Sequence, residues 1–151
     1  MLIEFKSLPN TIKMKKVLNV LLIDDNEIDN LIHERLLKDL APETEVKVFQ
    51  SSTQALDYLI ATATQNPQAL PDLILLDLHM PMMDGFAFMK AYQKADLSLV
   101  KKTNIIGLSC SIFDQEIQDM LAYEEVSAFI TKPLNRQKIS QIVQDNLAIS
   151  E

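Results

Sequence analysis

The chain of 151 residues is short of several things, and each shortage closes off a class of function. It has one cysteine, Cys110, so no disulfide can form within it and a small cross-linked secreted scaffold is excluded. A lone thiol suits a reducing compartment. No apolar run approaches the ~20 residues that cross a bilayer. The stretch Met1-Leu2-Ile3-Glu4-Phe5-Lys6 lacks the basic start and apolar centre of a secretory leader. A cytoplasmic protein without a membrane partner is expected. Positive charge is scarce as well: 14 Lys and Arg face 21 Asp and Glu, for a net charge of −7. With no basic segment to attract a polyanion, no nucleic-acid partner is expected.

What is present reads as one ordinary domain. A composition 48% hydrophobic and 23% charged supports a packed core and argues against disorder or a coiled coil. Residues 1–15 mix charges with Pro9, Asn10 and Thr11 without periodicity and read as an extension; residues 16–149 read as the domain. Val17 to Ile23 is an aliphatic run ending on Asp24-Asp25-Asn26, where Asn26 can cap a helix. Ile28, Leu31, Ile32, Leu36 and Leu40 then recur at helical spacing, which predicts one buried stripe and leaves His33 on the surface.

Glu45-Val46-Lys47-Val48-Phe49 alternates as a half-buried strand does, and Ser51 or Ser52 can cap the helix carrying Ala55, Leu56, Leu59 and Ile60. Leu73-Ile74-Leu75-Leu76 is apolar without alternation, as a strand covered on both faces is, and it ends on Asp77 before a loop to Asp84-Gly85 and a third helix. A strand over 103–109, a helix from about Phe113 to Ala122, a strand over 126–130 and a helix from Asn135 to about Ala148 complete the pattern. Alternation of this kind means βαβ units, a parallel sheet and helices on both of its faces.

Parallel strands gather their carboxyl ends at one edge, where open α/β sheets bind ligands. That edge collects Asp24 and Asp25, Asp77, Ser109 and Lys132. Taken singly, each is an ordinary strand-ending acid, hydroxyl or surface lysine. Together they are a problem in charge: three close carboxylates resist full ionisation unless a cation sits among them. Mg²⁺, a hard ion that takes oxygen ligands and keeps waters, meets the need. With Mg²⁺ held by two acids and an ammonium nearby, a carboxylate can attack phosphorus, so the implied product is an aspartyl phosphate at Asp77.

The segments Leu22-Ile23-Asp24-Asp25-Asn26, Leu75-Leu76-Asp77-Leu78-His79-Met80-Pro81-Met82-Met83-Asp84-Gly85-Phe86, Leu108-Ser109-Cys110-Ser111 and Phe129-Ile130-Thr131-Lys132-Pro133-Leu134 resemble the receiver domains of two-component response regulators. The resemblance covers residues 17 to about 148. It implies a doubly wound, flavodoxin-like (βα)5 fold with a five-stranded parallel sheet in the order 2-1-3-4-5. It implies that Asp77 accepts a phosphoryl group from a histidine kinase or histidine phosphotransfer protein. Asp25 and Asp77 would bind Mg²⁺ directly, Asp24 through a water, and the backbone carbonyl of His79 would complete the protein ligands. Lys132 would pair with the phosphoryl group, Ser109 would swing toward it, and Phe129 would turn inward as the switch aromatic. The Lys132-Pro133 bond would be cis.

The chain departs from the family in carrying Ser109 for the usual Thr and Cys110, read as a small buried residue, for the usual Ala. His79 and Ser111 occupy the positions that tune the lifetime of the phosphate, and Tyr123-Glu124-Glu125-Val126 lacks a customary Gly. The resemblance predicts a stand-alone signalling domain, monomeric or weakly dimeric, that is no enzyme beyond its own phosphorylation and dephosphorylation. Its output would be a phosphorylation-dependent contact of the fourth helix, fifth strand and last helix with a downstream protein. A haloacid-dehalogenase-like phosphatase is the main rival, disfavoured because His79 stands where that family needs an acid; a phosphorylation-independent scaffold is the other.

Overall fold

Which side chains point to which face of the central sheet decides the architecture. The computed structural model describes residues 12–14, 17–111 and 113–150. Five strands alternate with five main helices: β1 Asn19–Ile23, α1 Glu27–Leu40, β2 Glu45–Phe49, α2 Ser52–Gln65, β3 Leu73–Asp77, α3 Gly85–Lys94, β4 Asn104–Ser109, α4 Asp114–Leu121, β5 Val126–Thr131 and α5 Arg136–Leu147. All four strand pairings are parallel and the sheet order is β2-β1-β3-β4-β5. The expected order 2-1-3-4-5 is the one observed.

Successive strand residues point to opposite faces, so the sheet sorts its aliphatics into two cores. Leu21, Ile23, Ile74 and Leu76 pack with Ala55 and Leu59 of α2, Phe88, Met89 and Tyr92 of α3, and Met120 of α4. Val20, Leu22, Leu73, Leu75, Ile106 and Leu108 pack with Leu37 of α1 and Ile139, Ile142 and Val143 of α5. Every residue of β3 is buried, as a strand covered on both faces must be. Caps close the helix starts: Asn26, Ser51 and Asp84 each accept a backbone N–H of the first turn of α1, α2 and α3.

Several expectations are corrected. Ile28, Leu31 and Ile32 are 69%, 51% and 46% exposed, and the buried positions of α1 are Asn30, His33 and Leu37. Both sets have helical spacing. Asn30 and His33 turn inward because Asn30 Nδ2 donates to the Asp24 carbonyl at 2.8 Å, a bond that Ile28, Leu31 and Ile32 cannot offer, while Leu36 and Leu40 of the expected stripe are partly buried against the second core. His33 is therefore buried, and Cys110 is exposed. The turn before β5 needs no glycine: Tyr123 N–H donates to Met120 O, Val126 N–H donates to Tyr123 O, and among the described residues only Met82 and Asp96 take positive φ.

The sequence pattern also passed over a four-residue helix, Leu97–Val100, and an antiparallel ribbon of Ile12–Met14 with Ala148–Ser150. The rest of the expected extension, residues 1–11 and 15, lies outside the described residues.

Gly85 fixes how α3 meets β3. A Cβ there would stand 2.8 Å from Leu78 Cα and 3.1 Å from the Asp77 carbonyl oxygen, and both are backbone atoms. Gly85→Ala is expected to cost about 1–3 kcal/mol of unfolding free energy, read as a lower urea midpoint. An unchanged midpoint would mean that α3 slides back freely.

Candidate functional site

At the carboxyl edge of the sheet, four strands deliver their polar ends to one place. Asp24 follows β1 and is almost fully buried. Its N–H donates to Phe49 O of β2 at 3.1 Å, a part for the second strand that sequence reasoning did not find. Asp24 Oδ1 accepts the Asn26 N–H at 2.9 Å and Oδ2 accepts Lys132 Nζ at 2.7 Å. Asp25, beside it, is exposed, and Asp77 ends β3 with 5% of its surface exposed. One carboxylate oxygen from each of Asp24, Asp25 and Asp77 lies within 4.8 Å of the others.

Lys132 enters from the end of β5 and threads its side chain, 5% exposed, into this group. Its ammonium lies 2.7 Å from Asp24 Oδ2, 3.0 Å from Asp29 Oδ2 and 3.7 Å from Asp77 Oδ2. Burial alone would favour the neutral amine, but hydrogen bonds to Asp24 and Asp29 and the charges of Asp24 and Asp77 outweigh it and raise the Lys132 pKa. Asp77 has the opposite balance. Burial first, then the Asp24 charge, push its pKa up to about 6, against the pull of Lys132 and the His79 N–H. One ammonium therefore does not satisfy Asp77.

The remaining expected residues divide. Ser109 is fully buried, but its hydroxyl donates to Ser111 O at 2.8 Å and accepts the Ser111 N–H at 3.2 Å, so it is turned onto its own loop. Phe129 is half-buried against the first core, its ring filling the space left by Gly107 beside Met120. His79 donates its N–H to Asp77 Oδ1 at 3.4 Å, while its exposed imidazole lies 3.5 Å from Glu116 of α4. The Lys132-Pro133 bond is cis, as expected. Asp29, an acid in the first turn of α1, also stands beside Lys132; its place there depends on a contact 103 residues away in sequence, which no local pattern signals.

Fold and site together define the class: a flavodoxin-like parallel α/β domain with acids and one lysine gathered at the carboxyl edge of its sheet. The comparisons with known proteins agree. The model of the response regulator receiver domain matches residues 20–144. The two-component response regulator ARR17 of Arabidopsis thaliana is 30% identical over 134 residues, which cover 85% of this chain and 84% of that protein. The receiver domain of the histidine kinase CKI1 from Arabidopsis thaliana, solved in complex with Mg²⁺, superposes with a TM-score of 0.71 at 26% identity, covering 85% of this chain and 90% of that one. A two-component response regulator from Cytophaga hutchinsonii has the same fold, with a TM-score of 0.77 at 22% identity over 88% of this chain and 98% of that one. The chain belongs to the response regulator receiver domain family. Among the described residues, no helix is long and apolar enough to cross a membrane.

The raised Asp77 pKa sets a pH dependence. Between its unfolded value of 3.8 and about 6, the folded chain keeps a proton that the unfolded chain has lost. Stability from this group therefore falls as pH rises through that window. With divalent ions chelated, Asp77→Asn is expected to be more stable than wild type by about 1–2 kcal/mol at neutral pH. The advantage should shrink toward pH 4 in urea titrations; an advantage constant with pH would contradict the assignment.

Proposed function

We propose that the chain accepts a phosphoryl group on Asp77 from a phosphohistidine and signals by phosphorylation-dependent protein binding. The observation that carries this is the meeting of Asp24, Asp25, Asp77 and Lys132, from three strand ends, within one small volume. The charge of the site supports Mg²⁺ as its cofactor. Three carboxylates offer hard oxygen donors, and Asp77 is reluctant to ionise with Lys132 as the nearest cation. Asp25 and Asp77 would hold the ion directly, Asp24 would hold it through a water, and the His79 carbonyl would complete the set. Bound there, the ion would neutralise the charge of the transferring phosphoryl oxygens.

In the transfer, an Asp77 carboxylate oxygen attacks phosphorus, the bond from phosphorus to the histidine nitrogen breaks, and that nitrogen leaves with its electron pair. Lys132 pairs with a phosphoryl oxygen. Ser109 leaves Ser111 to donate its hydroxyl to the same group, and Phe129 moves into the space that shift vacates. The reaction is self-modification, so the chain acts as a signalling protein and not as an enzyme that turns over a separate substrate. The phosphatase and scaffold alternatives are not favoured, because the chain belongs to a signalling family and its whole set of acids with Lys132 is assembled.

The apolar surface on α1 suits a helical phosphodonor. Ile28, Leu31 and Ile32 sit at i, i+3 and i+4 on the helix that starts just after Asp25, exposed where a monomer would place polar groups. The fourth helix ends on Leu121, 45% exposed, and the residue before its first turn, Phe113, is 62% exposed, which suits this region to an output partner.

Acetyl phosphate with Mg²⁺ should give wild type an acid-stable, hydroxylamine-labile adduct, and should leave Asp77→Asn unlabelled. Equal labelling of the two proteins would remove Asp77 from the role. Leu31→Asp should slow transfer from a phosphohistidine donor protein at least tenfold, while labelling by acetyl phosphate stays within twofold of wild type. A fall in both rates together would point to damage to the site and not to lost docking.

A further inference from the structure

Asp29 stands outside the acidic cluster and yet holds the lysine. It is the third residue of α1, the position from which an acid commonly reaches back to the N–H of the capping residue. Here that N–H, on Asn26, is donated to Asp24 Oδ1 at 2.9 Å. The Asp29 carboxylate is thus released from capping and lies 3.0 Å from Lys132 Nζ. The first-turn position favours its negative charge through the helix dipole. One turn on, His33 is buried, and burial lowers its pKa, so at neutral pH it is no cation competing for Asp29.

The two close partners of Lys132 differ in one respect. Asp24 belongs to the set of carboxylates whose oxygens lie within 4.8 Å of one another, and Asp29 does not. A divalent ion entering the cluster draws on Asp24, whose Oδ2 is already hydrogen-bonded to the ammonium. If Asp24 were the sole close partner, the ion could take it only by leaving a lysine side chain that is 5% exposed with no acid but Asp77, 3.7 Å away and drawn on by the same ion, which is costly.

We propose that Asp29 is a positioning residue for Lys132: it keeps the ammonium paired and in place when Asp24 turns to a divalent cation. The proposal rests on the reading of Asp77 as a phosphoacceptor with Mg²⁺. Asp29 touches neither the cation nor the phosphoryl group. It makes the release of Asp24 cheap, and it fixes the ammonium where a group on Asp77 can use it.

The test is a double-mutant cycle on the full chain, read first as Mg²⁺ affinity by calorimetric titration. Asp29→Asn is expected to weaken Mg²⁺ binding about tenfold in the wild-type background and less than threefold in Lys132→Met. Asp29→Glu should recover most of the loss. Equal losses in both backgrounds would mean a long-range charge effect only and would overturn the proposal.

Because Lys132→Met strips a counter-charge from buried acids, a second readout needs no change at Lys132. The Lys132 ammonium protons, followed by nitrogen-15 NMR, should stay in slow exchange with water when Mg²⁺ is added to wild type and should be lost in Asp29→Asn. The same behaviour in both proteins would also overturn the proposal. Failure of wild type to label with acetyl phosphate would remove the phosphoacceptor reading and leave both of these results standing.

Discussion

The site depends on an imbalance of charge held inside a rigid frame. Asp24, Asp29 and Asp77 surround Lys132, Asp25 lies beside Asp24 and Asp77, and Asp24, Asp77 and the lysine side chain are nearly out of water. Such a group persists because Asp24, its most buried acid, is tied to the backbone around it: its Oδ1 accepts the Asn26 N–H, its own N–H donates to Phe49 O and its carbonyl accepts Asn30 Nδ2. The least satisfied member is Asp77, whose close contacts are a long bond from the His79 N–H and an ammonium 3.7 Å away. Electrostatic discomfort is thus concentrated on the residue that ends the most deeply buried strand.

That concentration follows from topology. β3 sits between β1 and β4 and is covered by helices on both faces, so its last side chain emerges at the centre of the carboxyl edge. β1 beside it carries Asp24 and Asp25 to the same level, and β5 sends Lys132 across. The Lys132 N–H donates to Ser109 O at 3.0 Å, which ties the lysine to the end of β4 and brings the fourth strand into the same arrangement.

Much of this was legible in the sequence because the signals were repetitive or paired. The unbroken aliphatics of β3, the alternation in β2 and the regular exchange of strands with helices fixed the sheet, and the acids and lysine at strand ends marked its working edge. What stayed hidden was settled by single tertiary contacts. Nothing local says that α1 turns Asn30 and His33 inward in place of Ile28, Leu31 and Ile32; the bond from Asn30 to the Asp24 carbonyl does that. Nothing near Asp29 shows that its partner is Lys132 and not a backbone N–H. Cys110 was misplaced for a similar reason, since its neighbour Ser109 is fully buried and the chain leaves the sheet between the two.

The close approach of Gly85 to Leu78 has a mechanical meaning. The loop from β3 to α3 is braced where it leaves the strand by the Gly85 N–H on Leu78 O at 2.8 Å. It is braced again by Ser52, whose hydroxyl donates to Met83 O, and by the Met83 N–H on Pro81 O. Across the site, the loop from β4 to α4 carries exposed Cys110, Ser111 and Phe113, with the Ser109 hydroxyl bonded to Ser111. The frame around Asp77 is therefore lopsided: the loop to α3 is held by three hydrogen bonds, while the described part of the loop to α4 is bonded within itself, Ser109 to Ser111. On that count the loop from β3 to α3 is the stiffer wall of the site, and it is the wall that the most deeply buried strand runs into.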